Sequence, residues 1–161
     1  MTFYRQQLLV GTPVSMVTAT LGANDPEIGS TIENGDEKYI FVYNTGSSTA
    51  GVGQGVVCSG VTNYSVTVSS VTHIDVPVGV VKHAAIPTGS YGWVMQRGFS
   101  SYQPGSAVAK GDALTLGADG NWQSLLTTTA YSQVQQPKVY GKAMAAAASS
   151  TSGSDAYFSI A

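Results

Sequence analysis

Residues able to do chemistry are few in this chain, and none of their groupings makes a convincing site. His73-Ile-Asp75 puts two candidate ligands on one face of a strand, but a metal centre needs a third and a fourth, and none is spaced to supply them. His83 stands apart in an apolar run. Cys58 is the single cysteine, which excludes an internal disulfide and a cysteine zinc site. It follows Val56-Val57 and reads as a small buried hydrophobe. Nineteen serines make a chance triad easy to assemble, but no Gly-x-Ser-x-Gly elbow is present. Gly51-Val-Gly-Gln-Gly55 looks like part of a phosphate loop but lacks the lysine and the helix that follow one. It reads as a glycine-rich strand or bulge. Asn24, Asp25 and Glu27 offer oxygen ligands for calcium without the spacing of a helical calcium loop. Asn63-Tyr-Ser65 fits a glycosylation acceptor only by chance, in the absence of an export signal. Trp93 and Trp122, with Tyr91 and Tyr102, could stack on a sugar, although aromatics on strands more often fill a core or an interface. We therefore expect no enzyme, no metal and no cofactor.

The elements around these residues are strands. Lys38-Tyr-Ile-Phe-Val-Tyr-Asn44 alternates, with Tyr39, Phe41 and Tyr43 on one face and Ile40 and Val42 on the other. Residues 61–71 alternate in the same way, with Val66 and Val68 together. Pro77 and Gly79 interrupt the next apolar run, so a strand is predicted to begin near Val78. Further strands are expected over 91–97, 113–116, 121–123, 138–146 and 156–161. Asp119-Gly120 is a hairpin-turn signal, and Ser149 to Asp155 reads as a loop. No window shows helical spacing with caps. Ala145–Ala148 is read as a strand end. The fold class expected is all-β, a sandwich or barrel of about ten short antiparallel strands.

The chain has 161 residues, enough for one domain with a core; 43% is hydrophobic and only 10% charged. Sixteen threonines and 19 serines give it a neutral, hydroxyl-rich surface. The net charge is −2, and the basic residues are scattered, which argues against a nucleic-acid partner. No run of about 18 apolar residues is present, so no membrane-spanning helix is expected. The apolar stretch at residues 8–10 is too short for a signal peptide, so cytoplasmic synthesis without Sec export is expected. Residues 1–13 carry Phe3, Tyr4, Leu8 and Leu9 ahead of Gly11-Thr-Pro13. They read either as an extended N-terminal arm that packs on a neighbour or as an ordinary first strand. The arm is the reading adopted, with the β domain over 14–161 and a composition break near Val76 as a candidate sub-domain boundary. Residues 22–37 hold five of the nine acids and read as an exposed loop with one short extended piece.

Val78-Gly-Val-Val-Lys-His-Ala-Ala-Ile-Pro-Thr-Gly-Ser-Tyr-Gly-Trp-Val-Met-Gln-Arg-Gly98 resembles a pattern of tailed-bacteriophage capsid decoration, or cement, proteins. Gly111-Asp-Ala-Leu114, Gly141-Lys-Ala143 and the strand in Gly35–Asn44 extend the resemblance over roughly residues 35–161. Tyr91-Gly92-Trp93 is its most specific piece. The resemblance implies a protein of the virion, on the outer surface of the capsid. It implies the major capsid protein as partner and a homotrimer as the assembled form. The expected contact residues are Phe3, Tyr4, Leu8, Leu9, Tyr91, Trp93 and Arg97. Tyr91 and Trp93 fit an interface or a barrel core equally well. Arg97 is expected to continue the face of Tyr91, Trp93 and Met95 as a charged anchor. The competing reading is a carbohydrate-binding or fibre-type β module of a phage particle.

Overall fold

The computed structural model describes residues 14–60, 64–68, 76–125, 139–148 and 154–160. The N-terminal segment 1–13 with Phe3, Tyr4, Leu8 and Leu9, the pair His73 and Asp75, and most of the loop 149–155 lie outside the described residues. Those described form eleven strands and one 3-10 turn. The strands are β1 Val17–Thr18, β2 Thr31–Asn34, β3 Glu37–Asn44, β4 Gly55–Cys58, β5 Ser65–Val68, β6 Pro77–Val80, β7 Tyr91–Tyr102, β8 Ala113–Leu116, β9 Trp122–Ser124, β10 Gly141–Ala143 and β11 Ser154–Ser159. The all-β expectation holds.

Strand pairing divides the molecule into two layers that share β7. β3 pairs with β5, β5 with β4, β4 with β6, β6 with β7, and β7 again with β3. These contacts close a five-stranded barrel, and its pairings cross position 76. Its only parallel pair is β3 with β5, because β4 intervenes in the chain and returns antiparallel to β5. The second layer is an antiparallel sheet in the order β7-β11-β10-β8-β9.

Each layer draws on a different part of the apolar composition. The barrel interior is aliphatic: Ile40, Val42, Ala50, Val56, Val66, Val81, Ile86 and Val94 are buried together. The space between barrel and sheet is aromatic and larger. Tyr39, Phe41, Trp93 and Met95 from the barrel wall meet Tyr102, Leu114, Leu116, Trp122 and Phe158 from the sheet. β3 lies in the wall between them. Its run Tyr-Ile-Phe-Val is buried on both faces, which is why it is almost continuously apolar. The alternation read from sequence assigns these side chains correctly to their two clusters.

β7 passes from one layer to the other through a bulge. Tyr39 is opposite Met95 and Lys38 is opposite Arg97, so Gln96 is the extra residue. The inward face therefore switches from Trp93 and Met95 to Gly98, Ser100 and Tyr102. Gly98 sits at φ 129°, and a Cβ there would lie 2.9 Å from Glu37 Cγ and 3.2 Å from Met95 Sδ. Only glycine fits without strain. At Gly55 a Cβ would meet Leu116 and Trp122 at 2.5 and 2.8 Å, so the missing side chain lets barrel and sheet approach. Trp122 Nε1 donates to the Gly53 carbonyl at 3.1 Å across the same seam. The glycine-rich stretch 51–55 is thus a packing device and not a phosphate cradle.

Turn chemistry explains the connections. Asp119 takes the left-handed conformation at φ 56° inside the β8–β9 turn, where the Asn121 N–H donates to the Ala118 carbonyl at 3.1 Å, as the Asp-Gly signal predicts. The acidic segment is more ordered than expected: β2 pairs antiparallel with β3 across the tight turn at Gly35-Asp36. Cys58 corrects another expectation. It is exposed at the end of β4, where the buried pattern stops.

Candidate interaction surface

Among the described residues, four titratable side chains assemble at the bulge where barrel and sheet part. Tyr39 lies in the aromatic core, and its phenol emerges to donate to Glu37 Oε2 at 2.5 Å. The His83 Nε2 lies 3.0 Å from the same phenolic oxygen. With the phenolic proton directed at Glu37, the neutral imidazole donates from Nε2. Lys82 Nζ bonds and ion-pairs with Glu37 Oε1, and the His83 ring stacks on Tyr39 at 5.6 Å.

These contacts shift the titrations in opposite senses. Burial pushes the Glu37 carboxyl up, but the bonds from Lys82 and Tyr39 and the Lys82 charge outweigh it, and its pKa falls below the ordinary value. Burial and the Glu37 contact raise Tyr39 strongly. Burial and the Lys82 charge lower His83, against a weaker pull from Glu37. A phenol held this firmly neutral is a poor base or nucleophile at ordinary pH. The cluster braces the Gly98 bend, on which Glu37 rests.

Among the residues expected to make contacts, Trp93 belongs to the core at 3% exposed. Tyr91 is half-buried and forms a ladder with Phe41 and Tyr43, its ring centroid 6.2 and 4.5 Å from theirs. Arg97 is half-buried and its Nε donates to the Asp36 carbonyl at 3.2 Å. The Gln96 bulge corrects the expectation that Arg97 continues the face of Trp93 and Met95: it lies on the opposite, outer face. Three of the four candidate sugar-stacking rings, Trp93, Trp122 and Tyr102, are buried, so these four form no exposed platform. Asp25 caps its own turn by accepting from the Gly22 N–H at 2.6 Å. Among the described residues no group of three His, Cys, Asp or Glu side chains could hold a metal. No helix among them is long and apolar enough to cross a membrane.

The outer face of the second layer was not singled out in the sequence. Phe99 on β7 is opposite Tyr157 on β11, with ring centroids 5.0 Å apart at 68°. Phe99 is 51% exposed. Lys142 on β10 is opposite Tyr157 on the other side, and Asp155 lies two residues from Tyr157 along β11. Met144 and Val139, just beyond the ends of β10, are also exposed. Part of the signal is in the sequence: Ala156, Phe158 and Ile160 mark the inward face of β11 and leave Tyr157 outside. Phe99 follows the Gln96 bulge, which hides its face.

No protein-family model matches the chain, and no curated protein is similar to it. A solved structure is: the N base of head fiber gp8.5 of bacteriophage phi29, with a TM-score of 0.51 and 17% sequence identity, covering 76% of this chain and 94% of that one. At that identity the likeness is one of fold.

Proposed function

We propose that this chain is a structural protein of a bacteriophage head, a decoration protein that binds the outer surface of the capsid and stabilises contacts between capsomers. The observation that carries the reading is the shared fold with the phi29 head fiber base, which extends over 94% of that chain. The sequence resemblance over residues 35–161 supports it independently. The proposed role is non-enzymatic: its product is buried surface, and a rigid β scaffold suits it. The partners are the major capsid protein and further copies of the chain in a homotrimer, with neither nucleic acid nor membrane involved. Phe3, Tyr4, Leu8 and Leu9 supply the proposed arm that contacts a neighbour, and Tyr91 and Arg97 are further proposed contacts. Large apolar side chains such as these gain roughly 1.5–3 kcal/mol each on burial. The name of the structural neighbour favours a second reading, the base of a head fibre. Burial of the candidate aromatics weighs against its carbohydrate-binding version.

Adding the purified protein to heads that lack it tests the proposal. The expected result is saturable co-sedimentation with intact heads and release of packaged DNA at a higher temperature. Deleting residues 2–10 is expected to abolish both while leaving the melting temperature of the free protein unchanged. Heads that neither bind the protein nor gain stability would refute the reading.

A further inference from the structure

The outer face of the second layer has a self-complementary arrangement. Its centre is the edge-on pair of exposed Phe99 and half-buried Tyr157. One strand away from Tyr157 stands Lys142; two residues along the same strand stands Asp155. Both charges are exposed. Neither is in an ion pair among the described residues, where Lys82 with Glu37 is the pair seen. A two-fold axis lying in the plane of this face and passing beside Phe99 and Tyr157 superposes the aromatic pairs of two copies. The same operation lays Lys142 of each copy over Asp155 of the other. A single ring pair with one acid and one base on two adjoining sides thus meets its own charge complement under two-fold rotation.

We propose that this face binds a second copy of the chain as an isologous two-fold contact. Aromatic side chains suit the apolar centre of such an interface and the paired charges suit its rim. A closed three-fold ring is built from heterologous contacts. This face therefore lies outside any ring: it joins one trimer to another, or gives a dimer where no trimer forms. The inference stands on the geometry of the face and does not depend on binding to a phage head.

Light scattering or sedimentation equilibrium over a concentration series tests it, with the melting temperature as a check on folding. The wild type is expected to associate reversibly in even multiples of the chain. Phe99→Ser is expected to raise the dissociation constant of that step about tenfold or more, since central aromatics dominate such contacts. Lys142→Asp and Asp155→Lys are each expected to weaken it, by placing like charges in register. The double variant Lys142→Asp/Asp155→Lys is expected to restore it, because the swapped charges still meet across the axis. Wild type that stays monomeric, or forms a trimer indifferent to all four variants, would overturn the proposal. So would variants that lose head binding without any change in mass, which would give the face to the capsid shell.

Discussion

The two cores of this protein solve the same problem with different side chains. Inside the barrel, the five strands enclose Val, Ile and Ala alone. Between barrel and sheet, the gap is wide enough that Trp122, Tyr39, Tyr102, Phe41 and Phe158 are all fully buried. The barrel holds its shape by strand closure, which leaves those five strands no free edge against one another. The layered region holds its shape by large rings and by glycines that let the layers touch. Mutations should therefore be felt unequally in the two regions, and the inequality is measurable.

Truncating the largest ring should have the largest effect. Trp122→Ala removes a fully buried indole and its bond to Gly53, and should cost about 3–5 kcal/mol in chemical denaturation. In the barrel, Ile40→Val deletes one methylene and should cost about 0.5–1.5 kcal/mol. Equal losses would erase the distinction between the two cores. Asn44→Ala comes next. Its buried amide donates to Ser48 and Ile86 carbonyls at 3.0 and 2.8 Å and accepts from the Gly46 N–H at 2.9 Å. Leaving those groups unpaired should cost about 2–3 kcal/mol, read as a drop in melting temperature. Gly98→Ala tests the seam itself. The φ of 129° costs a residue with a Cβ about 1–3 kcal/mol, before any clash with Glu37 is relieved.

Acid should act on the seam more gently. The Glu37 pKa is lowered in the fold, so its stabilisation is present above the ordinary glutamate range and is lost as pH falls through the folded value. The His83 pKa is also lowered. The folded state therefore favours the neutral ring, and stability is expected to decline as pH falls from the ordinary histidine value toward the lower folded one. Melting temperatures from pH 8 to pH 3 should fall in those two windows. Glu37→Gln should flatten the lower one, and a profile indistinguishable from wild type would remove the brace from the account. The smallest effect belongs to Cys58→Ser, within about 0.5 kcal/mol of wild type, since that thiol is exposed.

Local pattern carried most of the fold into view and stopped where tertiary choices began. The two faces of β3, the Asp119 turn and the strands near 78, 91 and 113 follow from period-2 alternation and turn chemistry. Closure of the barrel does not, because the parallel pairing of β3 with β5 joins segments twenty or so residues apart without a local signal. Nor does the bulge at Gln96. A single inserted residue reverses every side chain after it, and this is why period-2 alternation puts Arg97 on the wrong face and leaves Phe99 unmarked. The Glu37–Tyr39–Lys82–His83 cluster is hidden for a similar reason: its members come from the start of β3 and the segment after β6, which only the seam brings together. Asn34-Gly35 is a turn signal that would have revealed the β2–β3 hairpin inside the acidic segment.

The most direct test of the functional account is a difference density map between heads assembled with and without this protein. The account predicts added density on the outer capsid surface, seated between capsomers, with a barrel-and-sheet outline and an arm reaching an adjacent subunit. Density absent from the shell, or confined to a component that does not touch the major capsid protein, would contradict it.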